Sequence, residues 1–316
     1  MRRREFMSMM TATTLVPFQE LIPSGFPLPA ERTDRALVLI ELAGGCDGLN
    51  MIVPFADAEY RLKRPHLALP PEDVLAFEEG LGFHPALAGI KDLFDQGRVS
   101  VVHGVGHPDP PRTHFEARLR APHAPLDSMP EPILNPVGIQ FDRSVDQQPH
   151  SLNLQLKRIA QAIGRGSSRT VYKAVLEGFD THVDQVTPGR PSQGRHARLL
   201  TILSDGISNF LSQIEVAGAQ REVLVMVWTE FGRRLEENQT LGTDHGTAAP
   251  VLLIGESVQA GSVGTMPGLS PAHLDSRGDL ALTTDWRSVS SSILSDWLEI
   301  DPGPFFTGDV PRVRLV

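Results

Sequence analysis

Five acidic and histidine side chains in the second half of the sequence have types and spacings that suggest a metal site. Asp180 and His182 stand two residues apart in "GFDTHVDQ", and Asp244 and His245 are adjacent in "GTDHG". Glu230 follows the apolar run "VLVMVW" with one residue between them. For these residues to bind one metal, the fold must bring three separate stretches of chain to the same place.

The segments around these residues alternate between short apolar runs and amphipathic stretches. The apolar runs predict strands over 35–42, 99–106, 170–178, 222–228 and 249–255. Apolar residues at helical spacing predict helices over 84–97, 151–166, 196–218 and 286–299. This alternation indicates an α/β fold with a mainly parallel central sheet and helices on both faces. Ligands of such sheets bind beyond the carboxyl ends of the strands.

Residues that can do chemistry follow four of these predicted strands. The first strand runs into "AGGCDGLN", which places Asp47 among glycines that let the backbone approach a ligand closely. The second runs into a proline-rich turn and then a predicted helix start, which presents Arg112, Thr113 and His114. The third and fourth lead to the five residues named above. An acid or a histidine at every one of four strand ends is more than chance usually supplies.

Each residue also has a purely structural interpretation. Asp47 lies in an Asp-Gly pair, which favours a turn. Asp180 is placed to cap the segment that follows it, and His182 is placed as an ordinary loop histidine. Glu230 has two arginines a few residues later, and surface ion pairs of that kind are common and contribute little to stability.

The composition and net charge of the chain disfavour some classes of function. The 316 residues are 41% hydrophobic, and the formal net charge is −9. This charge disfavours non-specific binding of nucleic acid or anionic lipid, because both need a basic surface. Cys46 is the single cysteine, so neither an internal disulfide nor a Cys-based zinc or iron–sulfur site can form. Residues 34–316 are predicted to form one domain.

The amino-terminal residues predict export. The stretch "MRRREFMSMMTATTLVPF" has clustered arginines followed by Phe6 and a short, weakly apolar run, which is typical of a twin-arginine signal. We predict that residues 1–33 are this signal and that the protein is periplasmic or secreted; the alternative is a basic terminus without such a role. The run is too short for a membrane span, which needs about 20 apolar residues.

Several motifs together resemble one bacterial family. The stretches "LVLIELAGGCDGLNMIVPF", "RTHFEAR", "EGFDTHVDQ", "TEFGRRLEEN" and "GTDHGTAAPVLLIG" occur in the order typical of the family catalogued as domain of unknown function 1501. That family is regarded as a branch of the alkaline phosphatase and sulfatase superfamily, commonly with a twin-arginine leader. The resemblance therefore implies an alkaline-phosphatase-like sandwich.

The resemblance also implies roles for individual residues. Members of the superfamily hold one or two divalent ions at strand ends, so the implied cofactor is zinc, manganese, magnesium or calcium. Thr113 stands at the nucleophile position, with His114 beside it, and Arg112 would bind the anionic oxygens of a small ester substrate. The implied metal ligands are Asp47, Asp180, His182, Glu230, Asp244 and His245.

Two functions follow from this pattern. The first is an exported metal-dependent hydrolase of phosphate or sulfate esters. The alternative is an exported binding or scaffold protein that keeps the fold without catalysis. It is favoured by departures from the family pattern at the nucleophile position, where Thr113 replaces the more frequent Ser, and in the proline-rich segment between about 120 and 150, which is shorter than in typical members. Further departures are Cys46 where the family usually has Asn, and Glu230 and Phe231 where the superfamily has an Asp-His pair. Protein partners are not indicated by the sequence.

Overall fold

A computed structural model describes residues 34–108, 151–167, 170–219, 221–306 and 310–316. The predicted export signal and the predicted catalytic residues Arg112, Thr113 and His114 lie outside the described residues. Among the described helices, none combines the length and the apolar character that crossing a bilayer requires.

The described chain contains strands and helices in the following order. The strands are β1 Arg35–Ala43, β2 Ile52–Val53, β3 Leu75–Glu78, β4 Leu81–Phe83, β5 Val99–Gly106, β6 Val171–Glu177, β7 Glu222–Trp228, β8 Arg233–Glu237, β9 Thr243–His245, β10 Ala249–Ile254, β11 Gly261–Val263 and β12 Thr284–Asp285. The α-helices are α1 Ala58–Lys63, α2 Ala88–Asp95, α3 Ser151–Gly164, α4 Arg195–Val216 and α5 Trp286–Ser292.

Seven of these strands form the central sheet. Its order is β11-β5-β10-β7-β1-β6, and β12 pairs with β5. A separate small sheet, β2-β4-β3, and the hairpin β8-β9 complete the strand pairing among the described residues. The sequence analysis predicted neither of these smaller elements, because their strands are too short to show a clear period.

The central sheet is mainly parallel, as predicted, but it is mixed because one of its seven strands, β10, runs in the opposite direction. Strand β10 runs antiparallel to both of its neighbours, β5 and β7, whereas β1 is parallel to β6 and β7. The chain leaves β7, forms the β8-β9 hairpin and returns without a helical crossover, so it cannot re-enter parallel to β7. The amino end of β10 therefore lies at the edge of the sheet where β1, β6 and β7 end.

Strand β1 explains why the sheet needs cover on both faces. Alternate side chains point to opposite faces of a strand. Ala36, Val38, Ile40 and Leu42 join the apolar cluster that includes side chains of α2, α3 and α4. Leu37 and Leu39 join the cluster that includes side chains of α5 and the carboxyl-terminal residues. Helices thus cover both faces of the described sheet, as the continuous apolar run of β1 predicts.

The outer edge of β6 is protected by a side chain. The amide of Gln155, on α3, donates to the Val175 carbonyl at 2.9 Å and accepts from the Val175 N–H at 3.0 Å. It therefore replaces the hydrogen bonds that a further strand would make at this edge, where unpaired backbone groups invite aggregation.

Candidate metal centre

Three ligand atoms from two loops meet at the carboxyl edge of the central sheet. Asp180 and His182 lie just after β6, and His245 is the last residue of β9. The Nε2 atoms of His182 and His245 are 3.1 Å apart, and each lies 3.2 Å from Oδ1 of Asp180. The side chains are between 32% and 48% exposed, so a solute can reach them. Among the described residues, this is the cluster suited to a metal ion.

The dimensions of this cluster fit a small divalent cation. Zinc lies about 2.0–2.1 Å from nitrogen and carboxylate ligands, which in a tetrahedron places the ligand atoms about 3.4 Å apart. The observed separations of 3.1 and 3.2 Å come within a few tenths of an ångström of that value. Two imidazoles and one carboxylate, with a coordination position left open, form a ligand set typical of catalytic zinc sites.

Asp244 contacts a ligand of this cluster from behind. Its Oδ1 lies 3.1 Å from Nδ1 of His182, the ring nitrogen that faces away from Asp180. Asn238 supports the same arrangement, since its Nδ2 donates to Oδ1 of Asp244 at 3.3 Å and to the His182 carbonyl at 2.8 Å. The hydrogen bond from His182 is the main cause that lowers the pKa of Asp244. Asp244 therefore orients the imidazole, as carboxylates do behind many metal-bound histidines.

Arg233 joins the loops beneath the cluster. It is 1% exposed and stands opposite His245 in the β8-β9 hairpin. Its guanidinium donates to Oδ1 of Asp180, to the Gly45 carbonyl and to the Thr243 carbonyl, each at 2.7 Å. It also donates to the carbonyls of Gly44 and Phe179. One buried side chain thus ties together the ends of β1 and β6 and the start of β9.

The surroundings of Asp180 favour its ionised form. Burial alone would raise the pKa of this carboxyl, but hydrogen bonds from Arg233 and His245 and the charge of Arg233 lower it to about 2. A carboxylate must be deprotonated to bind a metal. Asp180 meets that condition throughout the neutral range.

Glycine is required where the chain segments approach each other below the cluster. Gly44 has a φ of +113°, and a Cβ at that position would lie 2.3 Å from the backbone nitrogen of Asp180. A Cβ at Gly242 would lie 2.3 Å from the carbonyl oxygen of His182. Phe231, which is 5% exposed, packs its ring on His245 with a centroid separation of 4.4 Å. Phe231 therefore supports a ligand through packing.

Asp47 and Glu230 lie outside the three-atom cluster. Asp47 is fully buried, and its Oδ2 accepts from Nη1 of Arg64 at 2.7 Å and from Nε2 of Gln185 at 2.6 Å. Burial alone would raise its pKa, but the charge and the hydrogen bond of Arg64 lower it overall. Glu230 is 7% exposed, and its Oε1 accepts from the Gly44 N–H at 2.7 Å. Both acids therefore stabilise the loop that follows β1.

Local spacing in the sequence does not predict the arginine and glutamine side chains that support the centre. It favours an ion pair between Glu230 and the arginines that follow it. In the structure, Arg233 pairs with Asp180, and Arg234 pairs with Asp279 at 3.2 Å. The partners are far apart along the chain, so local spacing gives no signal for them. The only hint was the position of these arginines between two predicted ligand segments.

Comparison with known proteins supports part of the predicted resemblance. Residues 162–295 match the family model described as "Protein of unknown function (DUF1501)", the family that the motifs predicted. The matched segment contains the whole three-atom cluster, and Asp47 lies outside it. No curated protein matches the chain.

Two solved structures show distant similarity to this chain. One is the C-terminal periplasmic domain of EcEptC from Escherichia coli, in complex with Zn, with 9% identity, a TM-score of 0.46, and coverage of 84% of this chain and 83% of that chain. Another is the lipoteichoic acid synthase LtaP from Listeria monocytogenes, with 10% identity, a TM-score of 0.46, and coverage of 85% and 73%. At these scores neither structure bears on the chemistry of this chain.

Proposed function

We propose that this protein is a metal-dependent hydrolase of phosphate or sulfate esters. The observation that carries the proposal is the convergence of Asp180 Oδ1, His182 Nε2 and His245 Nε2 at 3.1–3.2 Å from one another. The donor set favours zinc, because magnesium and calcium prefer sites made of oxygen ligands. Zinc is therefore the ion that we assign to this centre.

Some residues of the centre would bind the ion, and others orient the residues that bind it. Asp180 supplies a negative charge that Arg233 holds in place, and Asp244 fixes the imidazole of His182. When bound, a zinc ion supplies a Lewis acid that polarises an ester oxygen and stabilises developing negative charge. Because the cluster is open to solvent, an ester can approach the position that the three ligands leave free.

The reacting groups of the chain are proposed from the family resemblance. Thr113 would attack the phosphorus or sulfur atom through its oxygen, the ester bond on the opposite side would break, and the leaving oxygen would depart as an alcohol with the proton that Thr113 gives up. Water would then cleave the ester formed on Thr113, release phosphate or sulfate and restore the hydroxyl. Arg112 would hold the anionic oxygens as a planar fork, and His114 follows Thr113 in the sequence. All three residues are outside the described part of the chain, so variants must test their roles.

A single ion suits the described contacts better than a pair. A second ion would draw on Asp47 and Glu230. One oxygen of Asp47 accepts hydrogen bonds from Arg64 and Gln185, one oxygen of Glu230 accepts from the backbone of Gly44, and both acids lie outside the three-atom cluster. We therefore assign one ion to the centre and give the two further acids a supporting role.

The proposal also covers the fold type of the domain and the location of the protein in the cell. We infer an alkaline-phosphatase-like domain over residues 34–316 and export to the periplasm or the medium through residues 1–33. The paired Arg3 and Arg4 support export, and fractionation of expressing cells tests it. The protein should appear outside the cytoplasm, and replacement of both arginines by lysine should retain it inside. A wild-type protein confined to the cytoplasm would contradict this part.

Turnover of synthetic esters tests the enzymatic claim. We expect the zinc-loaded protein to hydrolyse an aryl phosphate monoester, an aryl phosphodiester or an aryl sulfate, and His245→Ala to lose both zinc and activity. Thr113→Ala should lose activity and keep its zinc. Loss of zinc in Thr113→Ala would make this residue a ligand. Zinc binding without hydrolysis of any of these esters would favour the binding or scaffold protein.

A further inference from the structure

A buried amide connects the two loops that carry the metal ligands. The Gln185 side chain is fully buried, and its Oε1 accepts from Oγ1 of Thr181 at 2.9 Å and from Oγ1 of Thr243 at 2.8 Å. Thr181 stands between Asp180 and His182 in the sequence, and Thr243 is two residues before His245. A single carbonyl oxygen therefore accepts from two hydroxyls that lie within two residues of all three ligands.

The backbone reinforces this connection. The Thr243 N–H donates to the Thr181 carbonyl at 3.2 Å, and the Gln185 N–H donates to the Leu241 carbonyl at 2.9 Å. Thr181 and Thr243 are both fully buried. Since buried hydroxyls need a partner, a displaced amide would leave two of them unsatisfied. The relative position of the two loops thus depends on where this amide is held.

Asp47 and Arg64 hold the amide. Nε2 of Gln185 donates to Oδ2 of Asp47 at 2.6 Å, and the same oxygen accepts from the buried guanidinium of Arg64 at 2.7 Å. Arg64 also donates to the backbone carbonyls of Arg234 and Leu235, in β8. An ionised carboxylate accepts hydrogen bonds only, so it fixes which end of the amide faces it. The oxygen of Gln185 must then face the two threonines.

We propose that Gln185 is a positioning residue for the metal centre. It transmits the fixed position of Asp47, at the end of β1, to the two ligand loops through Thr181 and Thr243. The inference rests on the proposed metal site and adds to it a cause for the close spacing of the ligand atoms. Metal and catalytic sites tolerate errors of only about 0.5 Å, so a side chain that fixes both loops controls affinity.

Zinc affinity of a Gln185→Leu variant tests this role. Leucine has a similar size, keeps the site packed and removes all three hydrogen bonds. Affinity is measured by competition with a chromophoric chelator, and folding stability by urea denaturation with excess chelator. We expect the variant to bind zinc at the same stoichiometry with affinity roughly 10- to 100-fold weaker, the range seen when groups that orient metal ligands are removed.

Gln155→Leu is the matched control. Gln155 is also a buried glutamine, and its amide makes two hydrogen bonds to Val175, at the outer edge of the sheet. Its loss should lower stability and leave zinc affinity unchanged. If zinc binding depended only on overall stability, it would weaken in both variants. If Gln185 positions the ligand loops, zinc binding weakens in Gln185→Leu alone.

Variants of the threonines keep the test decisive if Gln185→Leu does not fold. Thr181→Val and Thr243→Val each remove one hydroxyl with little change of shape, and each should weaken zinc binding. Thr181→Ser and Thr243→Ser retain the hydroxyl and should restore wild-type affinity. Equal affinity in the valine variants and the wild type would overturn the positioning role.

The outcomes separate the two proposals. A wild-type protein that binds no zinc would overturn the proposed function and with it this inference. Wild-type zinc binding, with Gln185→Leu and the valine variants indistinguishable from the wild type, would overturn the inference and leave the function standing. Weaker binding in these variants, with Gln155→Leu unchanged, would support it.

Discussion

The Nε2 atoms of His182 and His245 face each other at 3.1 Å. Nδ1 of His182 lies 3.1 Å from the carboxylate of Asp244, and a proton on Nδ1 in this contact leaves a lone pair at Nε2. That lone pair points toward the ionised Asp180 and the second imidazole. A cation is the group that satisfies such a concentration of electron-rich atoms, and the proposed function follows from this relationship.

Asp244→Asn tests the orienting role of Asp244. The change keeps the shape of the side chain and removes the charge that fixes the proton on Nδ1 of His182. We expect zinc affinity to fall roughly 10- to 100-fold with stoichiometry unchanged. Calorimetric titration with zinc measures both quantities. Asp57→Asn, which alters an N-cap on α1, serves as the control and should bind zinc as the wild type does. Complete loss of zinc would instead identify Asp244 as a ligand.

Arg233→Lys should destabilise the protein strongly. Lysine cannot reproduce the planar fork that contacts Asp180 and four backbone carbonyls. Breaking this buried network should cost about 3 kcal/mol or more in the free energy of unfolding, measured with urea and excess chelator. In Arg234→Lys the half-exposed arginine that pairs with the buried Asp279 is replaced by another cation, and the cost should stay below about 1 kcal/mol. Equal losses of stability in the two variants would contradict the conclusion that Arg233 joins the loops beneath the cluster.

Asp47→Asn distinguishes a structural acid from a ligand. The substitution leaves the buried Arg64 without its carboxylate partner, so the free energy of unfolding should fall by about 3 kcal/mol. Zinc stoichiometry should remain the same as in the wild type, since Asp47 lies outside the cluster. Elemental analysis of the folded variant provides the measurement. Two metal ions per chain in the wild type and one in the variant would show that Asp47 serves a second ion.

Acid should destabilise the fold through two buried histidines. Burial is the main cause that lowers the pKa of His196 to about 4 and that of His84 to about 3. Their pKa in the unfolded chain is about 6.5, so below that value the unfolded state binds more protons than the folded state. The stability that these neutral imidazoles contribute is complete above pH of about 6.5 and is lost progressively as the pH falls toward their folded values.

Urea denaturation between pH 7.5 and pH 4.5, with excess chelator, measures this dependence. Each buried histidine should contribute a slope of up to about 1.4 kcal/mol per pH unit in that window. The His196→Gln variant should be less stable at neutral pH and should show a smaller slope. An unchanged slope would mean that His196 is not neutral in the folded state, contrary to its complete burial beside Arg64 and Arg233.

Local patterns predicted the main elements of the fold well. The predicted strand over 222–228 corresponds to β7 Glu222–Trp228, and that over 99–106 to β5 Val99–Gly106. Long apolar runs bounded by turn residues leave few alternatives. The predicted helix over 286–299 is less regular, because α5 ends at Ser292 and a wider π-helical turn follows over Ile293–Trp297. Such a change of pitch depends on packing, and the sequence carries no clear signal for it.

The site was partly predictable for a similar reason. Asp180 with His182, and Asp244 with His245, were identified because each pair is close in the sequence. Their meeting depends on β10, whose antiparallel course brings the residues before it to the carboxyl edge of the sheet. The contacts of Arg233 and Gln185 join segments more than fifty residues apart. Such contacts are decided by tertiary packing and cannot be inferred from spacing.

Elemental analysis of the purified, folded protein tests the central claim most directly. After reconstitution with zinc and removal of excess metal, the wild type should retain about one zinc per chain, as a site with three protein ligands predicts. The His182→Ala/His245→Ala double variant should retain almost none, and His273→Ala, which changes an exposed histidine, should match the wild type. A wild type without zinc, or a double variant that retains it, would contradict the proposed metal centre.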